Sequence, residues 1–129
     1  MSADKKWLAM PPFTVDAPLT VSRERVADTI CAALEGGSNY WCNLLSMDDG
    51  YPEGTEWGHE AIAAGAKFSV HDGVGVRTNL GGDEKLTAAL GLMATKHEVD
   101  FKNLIDENED AETGDVLFQL ICFGEVVFG

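Results

Sequence analysis

The sequence predicts a single α+β domain in which several short helices pack with a β-hairpin, and three observations predict it. Apolar residues recur at helical spacing in three separate stretches, 23–35, 83–96 and 113–123. Asp72-Gly73 lies between two β-compatible runs, 67–71 and 74–80, which is the signal of a tight hairpin. The chain of 129 residues, 45% of them apolar, has the size and composition of one compact domain and shows no internal repeat or linker.

Taken in order, residues 1–20 mix charge with Pro11, Pro12 and Pro18 without periodicity and read as an extended N-terminal arm, leaving 21–129 as the domain. Trp7, Leu8, Met10 and Phe13 are too apolar for a solvated tail. The arm is therefore expected to pack on the body or on a second subunit, a route to a homo-oligomer. Ser22 is placed to cap a helix carrying Val26, Ile30, Ala33 and Leu34 on one face, and Gly36-Gly37 should end it in the left-handed conformation glycine accepts. Tyr40, Trp41, Leu44 and Leu45 repeat at i, i+1, i+4 and i+5 and predict a short second helix. "DDGYPEG" is a loop, and 56–64 another short helix stopped near Gly65. After the hairpin, Asp83 should cap a helix reaching Lys96 with Leu86, Leu90 and Met93 on one face. Residues 97–105 are ambiguous, with a short helix through Phe101, Leu104 and Ile105 as one reading. Val116, Leu117, Leu120 and Ile121 mark a last helix, and "EVVFG" would close the chain as a strand.

Charge is the most unusual bulk property. Nine basic residues face 22 acidic ones, a net −13, and residues 26–129 hold only five of the bases against 19 of the acids. Such a body repels phosphate backbones, since nucleic-acid affinity rests on Lys and Arg displacing counterions. Direct nucleic-acid binding is therefore not expected, and an anionic membrane surface is disfavoured for the same reason. No apolar run approaches the ~20 residues of a bilayer span. The opening residues also lack the apolar stretch of a secretory signal, so a soluble, cytoplasmic protein is expected. A basic protein surface would be attracted. Solubility, or adaptation to high salt, explains the acidity equally well.

The sequence offers no catalytic constellation, metal site or cofactor motif. Cys31, Cys42 and Cys122 are odd in number, widely spaced and set among apolar neighbours, which suits packing better than a disulfide framework or zinc. "HEAIA" begins like a zinc helix but has Ala63 where the second histidine belongs. His59, His71 and His97 stand at no diagnostic interval. "DGVG" lacks the third glycine of a dinucleotide site. Asp106, Asn108 and Asp110 match the start of a calcium loop, but Ala111 replaces its glycine and Leu117 its bidentate glutamate, so calcium is rejected.

Two segments, "ALEGGSNYWC" and "DVLFQLICFGEVVFG", together resemble a family of small phage and prophage proteins that carry A-L-E-G-G-x-x-Y-W early and F-G-E-x-V-x-G late. The likeness covers residues 32–42 and 115–129, whereas the middle keeps only the coarse order of helix, hairpin and helix. It implies a viral or prophage setting in a host cell and names no reaction.

Two functional classes follow. In the first, an acidic non-enzymatic inhibitor occupies the nucleic-acid-binding surface of a basic host protein, using Asp106, Glu107, Glu109, Asp110, Glu112 and Asp115. If helical, that run carries one charge per roughly 2.5 Å of axis, against one per ~1.7 Å in duplex DNA. A solvated acidic loop before a helix start accounts for the same residues. In the second class, Asn39, Tyr40 and Trp41 join His71 and Arg77 around a nucleotide-type ligand, in a sponge or a small enzyme. Against this, Tyr40 and Trp41 are read as core residues beside Phe123 and Phe128, since large aromatics next to a turn in a small domain usually fill its interior.

Overall fold

A computed structural model describes residues 5–16 and 19–129. Ser22 caps the first helix as its position predicts, its Oγ accepting a hydrogen bond from the Arg25 amide at 3.1 Å. From there α1 runs Arg23–Ala32 and widens into a π-turn over Ala33–Gly37, closed by the Ser38 amide donating to the Ala33 carbonyl at 2.9 Å. Four more helices follow: α2 (Gly58–Ala63), α3 (Asp83–Lys96), α4 (Glu98–Ile105) and α5 (Ala111–Phe123). Two small antiparallel sheets complete an α+β domain, β1 (Phe13–Asp16) with β2 (Leu19–Val21), and β3 (Leu44–Met47), β4 (Lys67–His71) and β5 (Val76–Gly81) in that order. No helix among the described residues is long and apolar enough to cross a membrane.

Helix α5 is the centre of the molecule. Every residue from Thr113 to Cys122 is buried, a helix covered all round. Its Phe118 stacks on Phe68 of β4 at 5.8 Å between ring centroids, and Leu117 joins Val26, Ile30, Leu86, Leu90, Met93 and Leu104 in the core. Helix α1 meets α5 at Gly114, where an added Cβ would lie 2.6 Å from the Ala33 nitrogen and 2.7 Å from the Thr29 carbonyl. Gly114→Ala must push two backbones apart and is expected to lower stability by about 3 kcal/mol. Gly91→Ala, inside α3 with open space around it, should instead raise stability by up to about 1 kcal/mol. Denaturant unfolding of the two variants checks the contrast.

The helices at 23–35, 83–96 and 113–123 and the 67–80 hairpin stand close to their expected places, and 97–105 resolves as α4. Five readings need correction. Asp83 is the first residue of α3 and not its cap, a place taken by Gly82, because its carboxylate is held by Arg23. The arm is not simply extended: Lys6–Ala9 form a 3-10 turn and Phe13–Asp16 pairs antiparallel with Leu19–Val21, with Trp7 and Phe13 buried in the chain's own core. Much of the apolar character that suggested a second subunit is thus used internally, although Leu8 stays exposed; residues 1–4 and 17–18 lie outside the described residues.

The second helix at 40–45 is a turn followed by β3. Trp41 and Cys42 amides bond back to the Ser38 carbonyl, and Leu44–Met47 pair in register with His71–Phe68. The apolar spacing mixed two elements, and β3 alternates outward and inward along its length, the period of a strand. Gly36-Gly37 does end α1, but by close approach instead of a left-handed turn: Gly36 has φ 172°, and a Cβ on Gly37 would lie 2.1 Å from the Ala111 carbonyl oxygen. Finally, "EVVFG" is no strand; α5 ends at Gly124 in the left-handed conformation and the tail folds back as coil.

Candidate functional site

The acidic run at 106–115 is where the sequence places a partner surface, and the start of α5 divides it. Asp110 turns its carboxylate onto the Thr113 amide at 2.8 Å as the helix cap. That bond, chief among several, holds its carboxyl below the usual range. Asp106 pairs with Lys102, while Glu107 and Glu109 both reach Arg25 of α1. Asp110 and Glu112 are exposed with no cation among the described residues beside them, and Asp110 is committed to its cap. Asp115 lies one turn further and is buried, so the six acids do not form one face.

Asp115 instead organises the interior. Its Oδ1 accepts hydrogen bonds from Ser38 Oγ at 2.8 Å and from Trp41 Nε1 at 2.7 Å; its Oδ2 accepts from Tyr40 Oη at 2.6 Å and Gln119 Nε2 at 3.0 Å. Among the described residues no cation bonds it, so four directed donors stabilise the carboxylate. Burial, and then the bond to Asp115, push the Tyr40 hydroxyl up to about 12. One turn along α5, Gln119 is fully buried and reads the tail: its Oε1 accepts from the Val127 and Phe128 amides, both at 2.8 Å, while Nε2 lies 3.1 Å from the Phe128 carbonyl. The side-chain amide supplies the partner that a neighbouring strand would otherwise provide.

Trp41 is 3% exposed and touches three aromatic rings, Phe118, Phe123 and Phe128, with centroids 5.5, 5.2 and 5.3 Å away. Its expected core role and two of its expected neighbours are present. Tyr40 differs from expectation: its ring is 58% exposed and only its hydroxyl reaches inward. The segments around Tyr40-Trp41 and Phe123–Gly129 therefore meet at Asp115 and Gln119.

The nucleotide-type constellation does not converge. Asn39 is exposed on the turn, Trp41 is inside, and His71 sits half-buried in β4. Arg77 donates to Asp72 at 2.9 Å and covers the Phe123 ring at 4.8 Å, so Phe123 stands between it and Trp41. Tyr40 does border an open cleft of about 930 Å³ with Gly37, Glu112, Val116, Val126 and Phe128. On its wall the Tyr40 hydroxyl meets Asp115, whose two oxygens are already bound by Ser38, Trp41, Tyr40 and Gln119. The thiols lie elsewhere, and each is shifted away from reactivity: burial, then Glu35, pushes Cys31 up to about 11, and burial raises Cys42 and Cys122. No cluster of three or more His, Cys, Asp or Glu among the described residues is placed to hold a metal ion.

Sequence reasoning missed Ser38 and Gln119. The spacing Asp115–Gln119, two polar residues one turn apart in an apolar helix, was the available signal. It also passed over Tyr51 and Trp57, both exposed in the loop "DDGYPEGTEWG". Comparison with protein-family models, curated proteins and solved structures finds no match to this chain.

Proposed function

We propose that this chain is an acidic, non-enzymatic phage or prophage accessory protein that binds and inhibits a basic, nucleic-acid-handling protein of the host's defence, acting in the host cytoplasm. One observation carries the reading: five of the nine cations are bound to carboxylates of the same chain, while many acids stay exposed with no cation among the described residues beside them. Lys5, Arg23, Arg25, Arg77 and Lys102 each engage a carboxylate of the same chain. Glu35, Asp49, Glu53, Glu56, Glu98 and Glu125 are exposed and pair with no cation among the described residues. The outward field is therefore as negative as the net charge implies, which accelerates encounter with basic surfaces and repels nucleic acid. The phage-family resemblance supplies the setting.

The test is affinity capture from a host lysate, followed by competition with nucleic acid for the recovered protein. Capture of a basic protein that duplex or single-stranded nucleic acid displaces is expected. Its association rate should fall as salt rises through the range where the screening length drops from ~10 to ~3 Å. Recovery of small nucleotides alone, or of partners that nucleic acid leaves in place, would favour the ligand-binding alternative.

A further inference from the structure

The three tryptophans differ sharply. Trp7 and Trp41 are 5% and 3% exposed, whereas Trp57 is 62% exposed and Tyr51, six residues earlier, is 55% exposed. An indole left in water by a domain with room for two others in its core is the kind of side chain that anchors interfaces.

The backbone that displays it is fixed. Glu60 Oε1 accepts from the Glu56 and Trp57 amides at 2.9 and 3.3 Å, and Lys5 holds the other oxygen of the same carboxylate at 3.1 Å. Upstream, Thr55 bonds the Pro52 carbonyl through both its amide and its hydroxyl, and Asp48 ties the loop to Ser69 and to the Asn79 amide. Binding at Trp57 therefore orders little that is not already ordered. Beside the indole runs a groove of about 610 Å³ walled by Cys31, Leu34, Glu35 and His59.

Charge selects the occupant. Residues 26–66 contain no Lys or Arg, and Glu35, Asp49, Glu53 and Glu56 are exposed around the loop. The Lys5 ammonium that reaches the helix start is already bound to Glu60. An aromatic face rimmed by carboxylates suits a guanidinium, which stacks flat on an indole and donates paired hydrogen bonds to carboxylates at its edge. Lysine offers a point charge without the plane.

We propose that loop 48–57 and the groove beside Trp57 are the docking surface for the basic partner, receiving an arginine side chain against the Trp57 indole with Glu35 and Glu56 at its edge. The inference rests on the reading of the chain as a binder of basic protein and relocates its contact from 106–115 to this loop.

The test uses the full chain, labelled with nitrogen-15, and two probes, a nona-arginine and a nona-lysine peptide, at ~0.1 M salt. Three indole N–H signals report the three tryptophans separately. Nona-arginine should shift the Trp57 signal and leave those of Trp7 and Trp41 in place, and should bind more tightly than nona-lysine. Trp57→Ala should weaken it about fivefold to tenfold. Glu35→Gln combined with Glu56→Gln should also weaken it, while Glu107→Gln with Glu112→Gln should change it less than about twofold. Circular dichroism confirms folding of each variant. Binding that survives Trp57→Ala unchanged, or equal affinity for the two peptides, would overturn this docking surface and leave the basic-partner reading standing. Absence of binding by either peptide would overturn both.

Discussion

Replacing Asp115 with alanine is expected to lower folding stability by about 3–5 kcal/mol, the largest single effect in the molecule. The loss comes less from the carboxylate than from what it leaves behind. Trp41 Nε1 and Ser38 Oγ are buried donors whose partner is Asp115 Oδ1, and Gln119 Nε2 loses one of its acceptors. A buried donor without a partner costs about 1–3 kcal/mol. Two such losses form a large share of the 5–15 kcal/mol that holds a typical domain together. Asp115→Asn keeps one acceptor oxygen and should recover about half the loss, since the new NH₂ group faces Gln119 Nε2 donor to donor. Denaturant melts of the two variants, with near-ultraviolet dichroism reporting the Trp41 cluster, measure both. An alanine variant as stable as the parent would show that the network is decoration.

The second large effect is expected at Arg23. This residue is 4% exposed, and its guanidinium joins four parts of the chain. Nε donates to the Pro11 carbonyl at 3.1 Å, and Nη1 to the Ala63 carbonyl at 3.0 Å. Both terminal nitrogens grip Asp83 at the start of α3, at 2.7 and 2.9 Å, and the plane covers the Phe13 ring at 4.1 Å. Arg23→Ala should cost about 3–4 kcal/mol. Arg23→Met, which keeps the contact with Phe13, should cost about 1 kcal/mol less. The pair also leaves a pH signature. The bond from Arg23 holds the Asp83 carboxyl below its ordinary value of 3.8, with burial opposing and the nearby charge assisting. Its contribution is therefore complete above that pH and is lost as pH falls through and below it. Asp28, raised chiefly by burial, works in the opposite sense. Acid unfolding below about pH 4 should thus be shallower in Arg23→Met than in the parent, read from denaturant midpoints across pH 3 to 6. Identical slopes would show that Asp83 gains nothing from the pair.

Whether an element was legible in the sequence depended on how far away its cause lies. The 67–80 hairpin is set by its own turn: Asp72 Oδ1 accepts from the Val74 and Gly75 amides, a local arrangement that a sequence displays. The three main helices carry their period and, at Ser22, their cap within a few residues. β3 does not, because its register is fixed by β4 more than twenty positions downstream. The acidic run was misread for a similar reason. Nothing near residues 107–109 announces that Arg25, some eighty positions upstream, neutralises two of its carboxylates. Trp41 was legible as core because size and apolarity decide burial largely by themselves. The partner of its indole nitrogen, Asp115, was taken for a surface charge, since acidity in sequence does not disclose direction.

The clasp formed by Gln119 bears on which backbone groups this chain leaves open to a second copy. A pentapeptide such as "EVVFG", paired as a strand, would have laid a fresh row of unpaired amides and carbonyls along the rim of a sheet. Such a rim is where a second copy can add itself, and then a third. With the Val127 and Phe128 amides bound by a side chain, and that side chain wholly enclosed, the segment is satisfied without offering a template. Loss of the clasp therefore threatens self-association as much as stability, because the freed residues are β-branched and aromatic ones suited to growing a fibre.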